Sequence, residues 1–314
     1  MRQTNIVDEI QTRPRAILIH NPAVSGCLDG ITDANHKELL YPFVPDVDDS
    51  ENEHAQMIKH LHSLGIETIE LFDVINEEDK EILSKNPNTI FTRDPMVTFP
   101  WQSNTALICN MNTKLRSAEA KAMKHATRKL GLSKLIEPPA NIHCEGGDIM
   151  PIMYDTKKTL IIRTGQRTSA QIVPYLLHYH HDIVEQIVEV RCLDRVLHLD
   201  SALGIASNKA VIFDNNSINA LILHNDAGSS LLGADEFVTQ LGSGHEPIAV
   251  AYDEAFRQQA TNMLNVGDNN VVAYSDCDRV IDKLKRLGVK IYGFNGHELA
   301  KGNGGPRCLT RPLY

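Results

Sequence analysis

Short apolar runs of strand-like composition recur along the whole chain and alternate with amphipathic helical patterns. The runs include Arg15–His20, Thr105–Cys109, Thr159–Ile162, Arg195–Leu199, Ala210–Phe213, Asn270–Tyr274 and Val289–Tyr292, most of them rich in Val and Ile and bounded by turn formers. Strands apolar on both faces suit sheets that are covered on both sides. Between them, Ser50–Leu64 spaces Ala55, Ile58 and Leu61 helically before Gly65. Ser117–Leu130 sets Ala118, Ala122 and Ala126 on one face and stops at Gly131. Ser169–Leu177 and Arg279–Leu287 complete the alternation. The pattern predicts an α/β or α+β fold built as one unit. No linker or low-complexity stretch interrupts it. No repeat shows at the residue level, although the strand–strand–helix–strand rhythm permits a structural one.

A chain of 314 residues with 42% hydrophobic and 23% charged residues can bury a full core without disulfide staples. With 31 Lys and Arg against 40 Asp and Glu, the formal net charge is -9, which argues against broad binding to nucleic acid or anionic membranes. No apolar run approaches the ~20 residues of a membrane span. The opening MRQTNIVDEIQTRPR lacks the apolar centre of a secretion signal. The six cysteines therefore read as free thiols, and the expectation is a soluble cytoplasmic protein.

Five segments pair ionisable side chains with turn residues. In Asn88-Thr-Ile-Phe-Thr-Arg-Asp94-Pro95, the proline disfavours helix at Asp94 and sets its carboxylate where a strand leaves the sheet. In Glu145-Gly-Gly-Asp148, two glycines allow close backbone approach and aim both acids around one bend. His198-Leu-Asp200 ends an apolar run, and as residues i and i+2 of a strand both would share a sheet face. Gly302-Asn-Gly-Gly-Pro-Arg-Cys308 puts a thiol after a glycine-rich loop, a setting that suits an accessible, reactive sulfur. Arg116, Arg167 and Arg307 are candidates for gripping a carboxylate with paired hydrogen bonds.

Two competing constellations carry less. His178-Tyr-His180-His181-Asp182 follows an amphipathic helix and lacks the spacing of a zinc site. Gly302–Gly305 has neither the Gly-Lys-Ser/Thr nor the following helix of a phosphate loop. Neither a metal nor an organic cofactor is expected.

A cysteine, a histidine and several acids fit one chemical problem, cleavage of a C–N bond at a guanidinium carbon. Carboxylates hold the flat cation through paired N–H···O bonds, a thiolate attacks the carbon, and an imidazole protonates the departing amine. A Cys–His protease needs an oxyanion hole and has no use for several anions around the scissile group.

The ordered series PNTIFTRDP, EGGDIMP, GQRTS, HLD and GNGGPRC resembles arginine deiminase, of the guanidino-group modifying superfamily, and the similarity extends from RAILIHNP and ITDANHKELL to the final Cys loop. The resemblance implies a single pentein domain over residues 1–314, a five-bladed α/β propeller of ββαβ units around a central pocket. Carried over residue by residue, it implies Cys308 as nucleophile and His198 as general acid/base. Asp94 and Asp200 would clasp the guanidinium, with Glu145 supporting them. Asn88 and Phe91 would line the pocket, and Arg116 and Arg167 would bind the substrate α-carboxylate. A homodimer is an expectation from the resemblance alone.

Two departures from the family pattern bear on the substrate rather than the chemistry. Many members carry a further carboxylate-binding arginine where this chain has Asn303; either Arg307 replaces it or the amino-acid end of the substrate is read differently. Typical bacterial members also carry a helical insertion before the FTRDP segment, where this chain has only Asn76–Pro87. The expected reaction is hydrolysis of free L-arginine to citrulline and ammonia through a covalent thiouronium adduct on Cys308. The alternatives keep the sulfur chemistry on methylated arginine, another guanidino compound or citrulline, or transfer an amidino group to an amine. A different class, a non-catalytic pentein binding module, would be expected to have lost Cys308 or His198.

Overall fold

A computed structural model describes residues 8–314, so Met1–Val7 of the opening segment lie outside the description. The chain forms five sheets, and each repeats one arrangement: an antiparallel pair whose central strand also pairs in parallel with a third. In the first, β1 (Ala16–Ile19) pairs in parallel with β2 (Glu67–Glu70). The second holds β3 (Met96–Phe99), β4 (Gln102–Ile108) and β5 (Lys134–Ile136). The third is β6 (Ile149–Tyr154), β7 (Lys157–Thr164) and β8 (Gln186–Cys192).

The fourth sheet is β9 (Leu203–Ser207), β10 (Ala210–Phe213) and, beyond the hairpin β11 (Ile218–Asn225) and β12 (Gly228–Leu232), β13 (Ile248–Ala249). That hairpin leaves its own blade and extends the third, with β11 antiparallel to β8. The fifth is β14 (Leu264–Asn265), β15 (Asn270–Tyr274) and β16 (Lys290–Phe294). Finally β17 (Arg311–Leu313) returns to pair antiparallel with β1 in the register Ile17↔Pro312 and closes the ring.

One helix crosses between the parallel strands of each blade: α1 (Val47–Ser63), α2 (Ser117–Ala126), α3 (Ile172–Tyr179), α4 (Ala234–Leu241) and α5 (Asp278–Arg286). A parallel pair requires such a crossover. Asp46 caps α1 by accepting from Asp49 N at 3.0 Å, and acids in the first turn suit the positive end of the helix dipole. The buried stripe of α1 runs through His54, Met57 and Leu61 rather than Ala55 and Ile58, a rotation the three-apolar count did not resolve. On α5 the buried residues are Val280, Ile281 and Leu284, and Gly288 follows with φ +82. The expected five-bladed α/β pentein architecture is thus the one observed.

One expected strand is not a strand. Arg195–Leu199 forms turns after β8, and His198 is an extended residue leading into a 3-10 turn at Leu199–Ser201. Its apolar character reflects Val196 and Leu199 packing inward from a loop. Among the described residues, no helix is long and apolar enough to cross a membrane.

Candidate active site

The first strands of the five blades are β17, β3, β6, β9 and β14, and the turn before each carries a polar or reactive side chain. Those turns hold Cys308, Asp94, Glu145 with Asp148, His198 with Asp200, and Asn262. Hydrogen bonds join each turn to the next around the ring. Arg93 N donates to Cys308 O (3.2 Å) and Gly146 N to Asp94 O (2.7 Å). Leu199 N donates to Asp148 Oδ1 (2.9 Å) and Thr261 Oγ1 to Asp200 O (2.8 Å). Cys308 N donates to Asn262 Oδ1 (3.0 Å), which completes the circle. Buried turns need partners for their backbone groups, and here they find them in one another.

A cavity of about 150 Å³ opens at this ring, lined by Asn88, Phe91, Asp94, Arg116, Arg167, His198 and Cys308 together with Leu40, Leu197, Gly302 and Asn303. Cys308 is only 4% exposed, so the accessible thiol expected after a glycine-rich loop is in fact a buried one that faces a cavity. Its Sγ accepts from Asn262 Nδ2 at 3.0 Å and lies 3.4 Å from Asp200 Oδ2. Burial, reinforced by Asp200 and Asp94, pushes the thiol pKa well up, against Asn262 and Arg307. The neutral thiol is therefore the favoured form. Asn262 escaped the sequence reading, because a lone Asn has no local motif; its position before β14, matching the other four turns, was the available signal.

His198 Nε2 lies 2.7 Å from Glu145 Oε2, and His198 Nδ1 is 3.7 Å from Asp94 Oδ1. Burial works against charging this ring. Asp94, the Glu145 hydrogen bond and Asp148 outweigh it and raise the pKa to about 9. Burial likewise opposes ionisation of Glu145, yet His198, Arg116 and Arg167 bring it down to about 2. The pair is thus an imidazolium facing a carboxylate. Arg167 Nη1 approaches both Glu145 oxygens at 3.3 Å.

Arg116 forks onto Glu119, with Nε–Oε1 at 2.9 Å and Nη2–Oε2 at 2.7 Å, and its Nη1 donates to Asp94 Oδ2 at 2.6 Å. Arg116 and Arg167 therefore reach the cavity already paired with carboxylates. The opposite oxygens Asp94 Oδ1 and Asp200 Oδ1 are buried and have no hydrogen-bond partner among the described residues.

The glycines make these approaches possible. A Cβ on Gly147 would fall 2.7 Å from both Asp94 Oδ1 and His198 Nδ1. One on Gly304 would fall 2.4 Å from the Phe91 ring. The Glu145-Gly-Gly-Asp148 bend does aim its acids in two directions. Glu145 faces His198, while Asp148 turns to Leu199 N and Arg163, and burial raises its pKa to about 6 despite His198, Arg163 and Thr168. Asn88 anchors the cavity wall, donating from Nδ2 to Leu39 O at 2.8 Å.

Arg307 is not brought to the cavity. Its guanidinium lies on the other side of the turn, bound to Asp200 and Glu9, so it does not fill the place of the arginine missing at Asn303. Asn303 itself lines the cavity with φ +64, a left-handed conformation that asparagine tolerates better than most residues, and its buried Oδ1 has no partner among the described residues. In the His178–Asp182 segment, His180 meets the Tyr175 hydroxyl and Asp182 pairs with Lys134 at 2.6 Å.

Chemically, the cavity offers an unpartnered oxygen of Asp94 as acceptor for a flat cation, a sulfur that lies against the fully buried Asp200 carboxylate, and a protonated imidazole as acid; Asp200 and Glu145 stand behind the lining rather than in it. Such a set accommodates a guanidinium better than a neutral acyl group, for which anions around the carbonyl would oppose the developing negative charge.

Comparisons with known proteins agree with this geometry. The arginine deiminase family model matches residues 77–314. The arginine deiminase of Metamycoplasma arthritidis is 22% identical, with 98% of this chain and 95% of that one covered. The arginine deiminase of Listeria monocytogenes is 25% identical over 77% of this chain, which spans 65% of that relative's length. Among solved structures, the product-bound N-terminal domain of ArgZ, a cyanobacterial arginine dihydrolase, superposes with a TM-score of 0.71 at 16% identity and covers 98% of both chains. DDAH from Pseudomonas aeruginosa, in complex with citrulline, gives 0.66 at 20% identity over 96% of this chain and all of the other (100%). These likenesses establish the pentein fold, and the family match establishes the kinship: the chain belongs to the arginine deiminase family, hydrolases acting on guanidino C–N bonds.

Proposed function

We propose that this protein hydrolyses free L-arginine to citrulline and ammonia. The observation that carries the reading is an unpartnered oxygen, Asp94 Oδ1, on a residue of the cavity wall, with the buried Asp200, whose Oδ1 is also unpartnered, set behind Cys308 and its Oδ2 3.4 Å from Sγ. Guanidinium N–H groups satisfy the Asp94 oxygen, and the cation's charge offsets the two carboxylates that hold the thiol neutral. Substrate binding thereby promotes the thiolate that attacks it.

On substrate binding the Cys308 thiol gives up its proton to solvent; the thiolate forms a bond to the guanidinium carbon, the proton on His198 goes to one guanidinium nitrogen, and the C–N bond breaks to release ammonia. The adduct is a thiouronium on Cys308. A water then adds to the same carbon, His198 takes its proton, and the C–S bond breaks to give citrulline and the free cysteine. Glu145 keeps the imidazole charged for the first half. Arg116 and Arg167, beside Asp94 and Glu145, are the cations available to the substrate α-carboxylate. The setting expected for such a reaction is the cytoplasm, and a homodimer is compatible with it.

Asn303 favours a second reading. With an amide in place of a third arginine, the far end of the cavity suits a related compound such as a methylated arginine or citrulline. Arginine, methylarginine and citrulline supplied separately, with products identified by mass, test the choice. Citrulline and ammonia from arginine support the first reading. Turnover of the others without turnover of arginine overturns it.

A further inference from the structure

Arg307 precedes Cys308, yet its side chain leaves the cavity and enters a buried polar cluster. Nε and Nη2 both meet Glu9 Oε1, at 3.1 and 3.0 Å. Nη2 also donates to Ile149 O at 3.2 Å, and Nη1 donates to Asp200 Oδ2 at 2.9 Å. All three guanidinium nitrogens are thus committed. The neighbouring cavity, bounded in part by Glu9, Arg93 and Arg307, holds only about 20 Å³, room for about one water, so the guanidinium has no alternative site.

Glu9 is fixed in turn. Its N–H donates to Pro151 O at 3.2 Å, and Arg93 Nη1 lies 3.5 Å from its carboxylate. A continuous path therefore runs from Glu9 through Arg307 to Asp200 Oδ2, and from that oxygen to Cys308 Sγ. The grip on Asp200 is a single charged hydrogen bond from Nη1, and it is held in place because Nε and Nη2 of the same rigid guanidinium are tied to Glu9.

We infer that Glu9 and Arg307 are positioning residues of this site: Glu9 holds the Arg307 guanidinium, and Arg307 fixes Asp200 Oδ2 against Cys308 Sγ and offsets the negative charge that opposes ionisation of Cys308. The inference rests on Cys308 being the reactive sulfur. Besides Asp200 and Arg307, the groups that face this sulfur are Asp94 from the turn before β3, Asn262 before β14 and Tyr274 on β15, and His198 lines the same cavity.

The test is the rate of Cys308 alkylation by iodoacetamide at one pH below the thiol midpoint, followed by mass spectrometry of the Cys308 peptide, with kcat and KM for arginine measured alongside. Three variants are compared with wild type. Arg307→Gln removes the cation and should slow alkylation about tenfold or more, as loss of a close opposite charge does. Arg307→Lys restores most of the alkylation rate, because the charge returns. It leaves kcat low, because an ammonium cannot fork. Glu9→Gln moves alkylation the other way, to a faster rate, since it removes an anion from the far side of Arg307, while kcat falls.

A purely structural role would not divide the two charge changes by sign. Equal alkylation rates in all variants, or shifts in one direction for both Glu9→Gln and Arg307→Gln, overturn the inference. If Arg307→Gln does not fold, Arg307→Lys and Glu9→Gln decide it: unchanged kcat in the lysine variant, or unchanged or slower alkylation in the glutamine variant, overturns it. Alkylation needs no substrate. Absence of arginine turnover in wild type with these shifts intact contradicts the arginine reading alone, and normal turnover without the shifts contradicts the positioning role alone.

Discussion

His198 Nε2 sits 2.7 Å from Glu145 Oε2, and the two residues come from turns of neighbouring blades that the sequence separates widely. Against burial, Asp94, this contact and Asp148 together keep the imidazole protonated up to about 9. Glu145→Gln removes the charge and leaves a shape of the same size. We expect the basic limb of the kcat/KM profile to move down toward the ordinary histidine range near 6.5. A basic limb at the wild-type position in Glu145→Gln would show that another group supplies the proton.

The same pair makes stability depend on pH. The folded value of His198 is above its unfolded value, so its contribution is full below about 6.5 and disappears as pH rises through about 9. Glu145 is held at about 2, so its contribution is present above about 4.5 and lost as pH falls toward that value. Thermal unfolding of wild type should therefore lose Tm between about pH 6.5 and 9 more steeply than that of Glu145→Gln. Parallel curves in this window contradict the assigned ion pair.

Gly147→Ala places a methyl group 2.7 Å from both Asp94 Oδ1 and His198 Nδ1. One of them must shift. Misplacement of this kind costs about 10²-fold in rate. We expect kcat/KM to fall by that order while circular dichroism and the unfolding midpoint change little, since Gly147 is not at positive φ. Near-normal kinetics would mean that the juxtaposition of these two side chains is not used.

Asn262 holds the final loop by accepting from Gly305 N (3.1 Å) and Cys308 N (3.0 Å) and donating to Cys308 Sγ (3.0 Å). Asn262→Ala leaves two buried N–H groups unpaired, at a cost of about 1–3 kcal/mol each. Urea unfolding should show a destabilisation of that order. Asn262→Asp keeps an acceptor for both N–H groups but sets an anion against the sulfur, so stability should recover while Cys308 alkylation slows. Equal alkylation in Asn262→Asp and wild type would contradict the contact with sulfur.

Asn303→Gly keeps the left-handed backbone and deletes the amide. If the amide reads the far end of the substrate, steady-state kinetics should show KM raised several-fold with kcat nearly unchanged, the sign of lost uniform binding. A fall in kcat at constant KM would place Asn303 in the chemical step instead.

What was legible in the sequence follows from how local each signal is. Ala210–Phe213 and Asn270–Tyr274 were read as strands at their observed bounds, because each is a central blade strand buried throughout. Edge and mixed segments such as Glu67–Glu70 and Gly228–Leu232 carry no such apolar run. Arg195–Leu199 looked like a strand because Val196, Leu197 and Leu199 make a short apolar run, two of them buried from a loop. Asp94, Glu145, His198 and Cys308 stood out beside glycine or proline, whose backbone restrictions mark turns. Arg307 was misplaced because adjacency to Cys308 says nothing about which side of the turn a long side chain takes. Glu9 and Asn262 were invisible for a related reason: their partners, Arg307 and Cys308, are distant in the sequence and meet them only when the ring of blades closes.

The most direct measurement of the central claim is intact-protein and peptide mass spectrometry on enzyme acid-quenched during turnover of L-arginine, in wild type and in Cys308→Ala. The account predicts an amidino adduct on the Cys308 peptide of wild type, citrulline and ammonia in equal amounts, and neither adduct nor product in the folded Cys308→Ala protein. Citrulline formed by Cys308→Ala at the wild-type rate would contradict it.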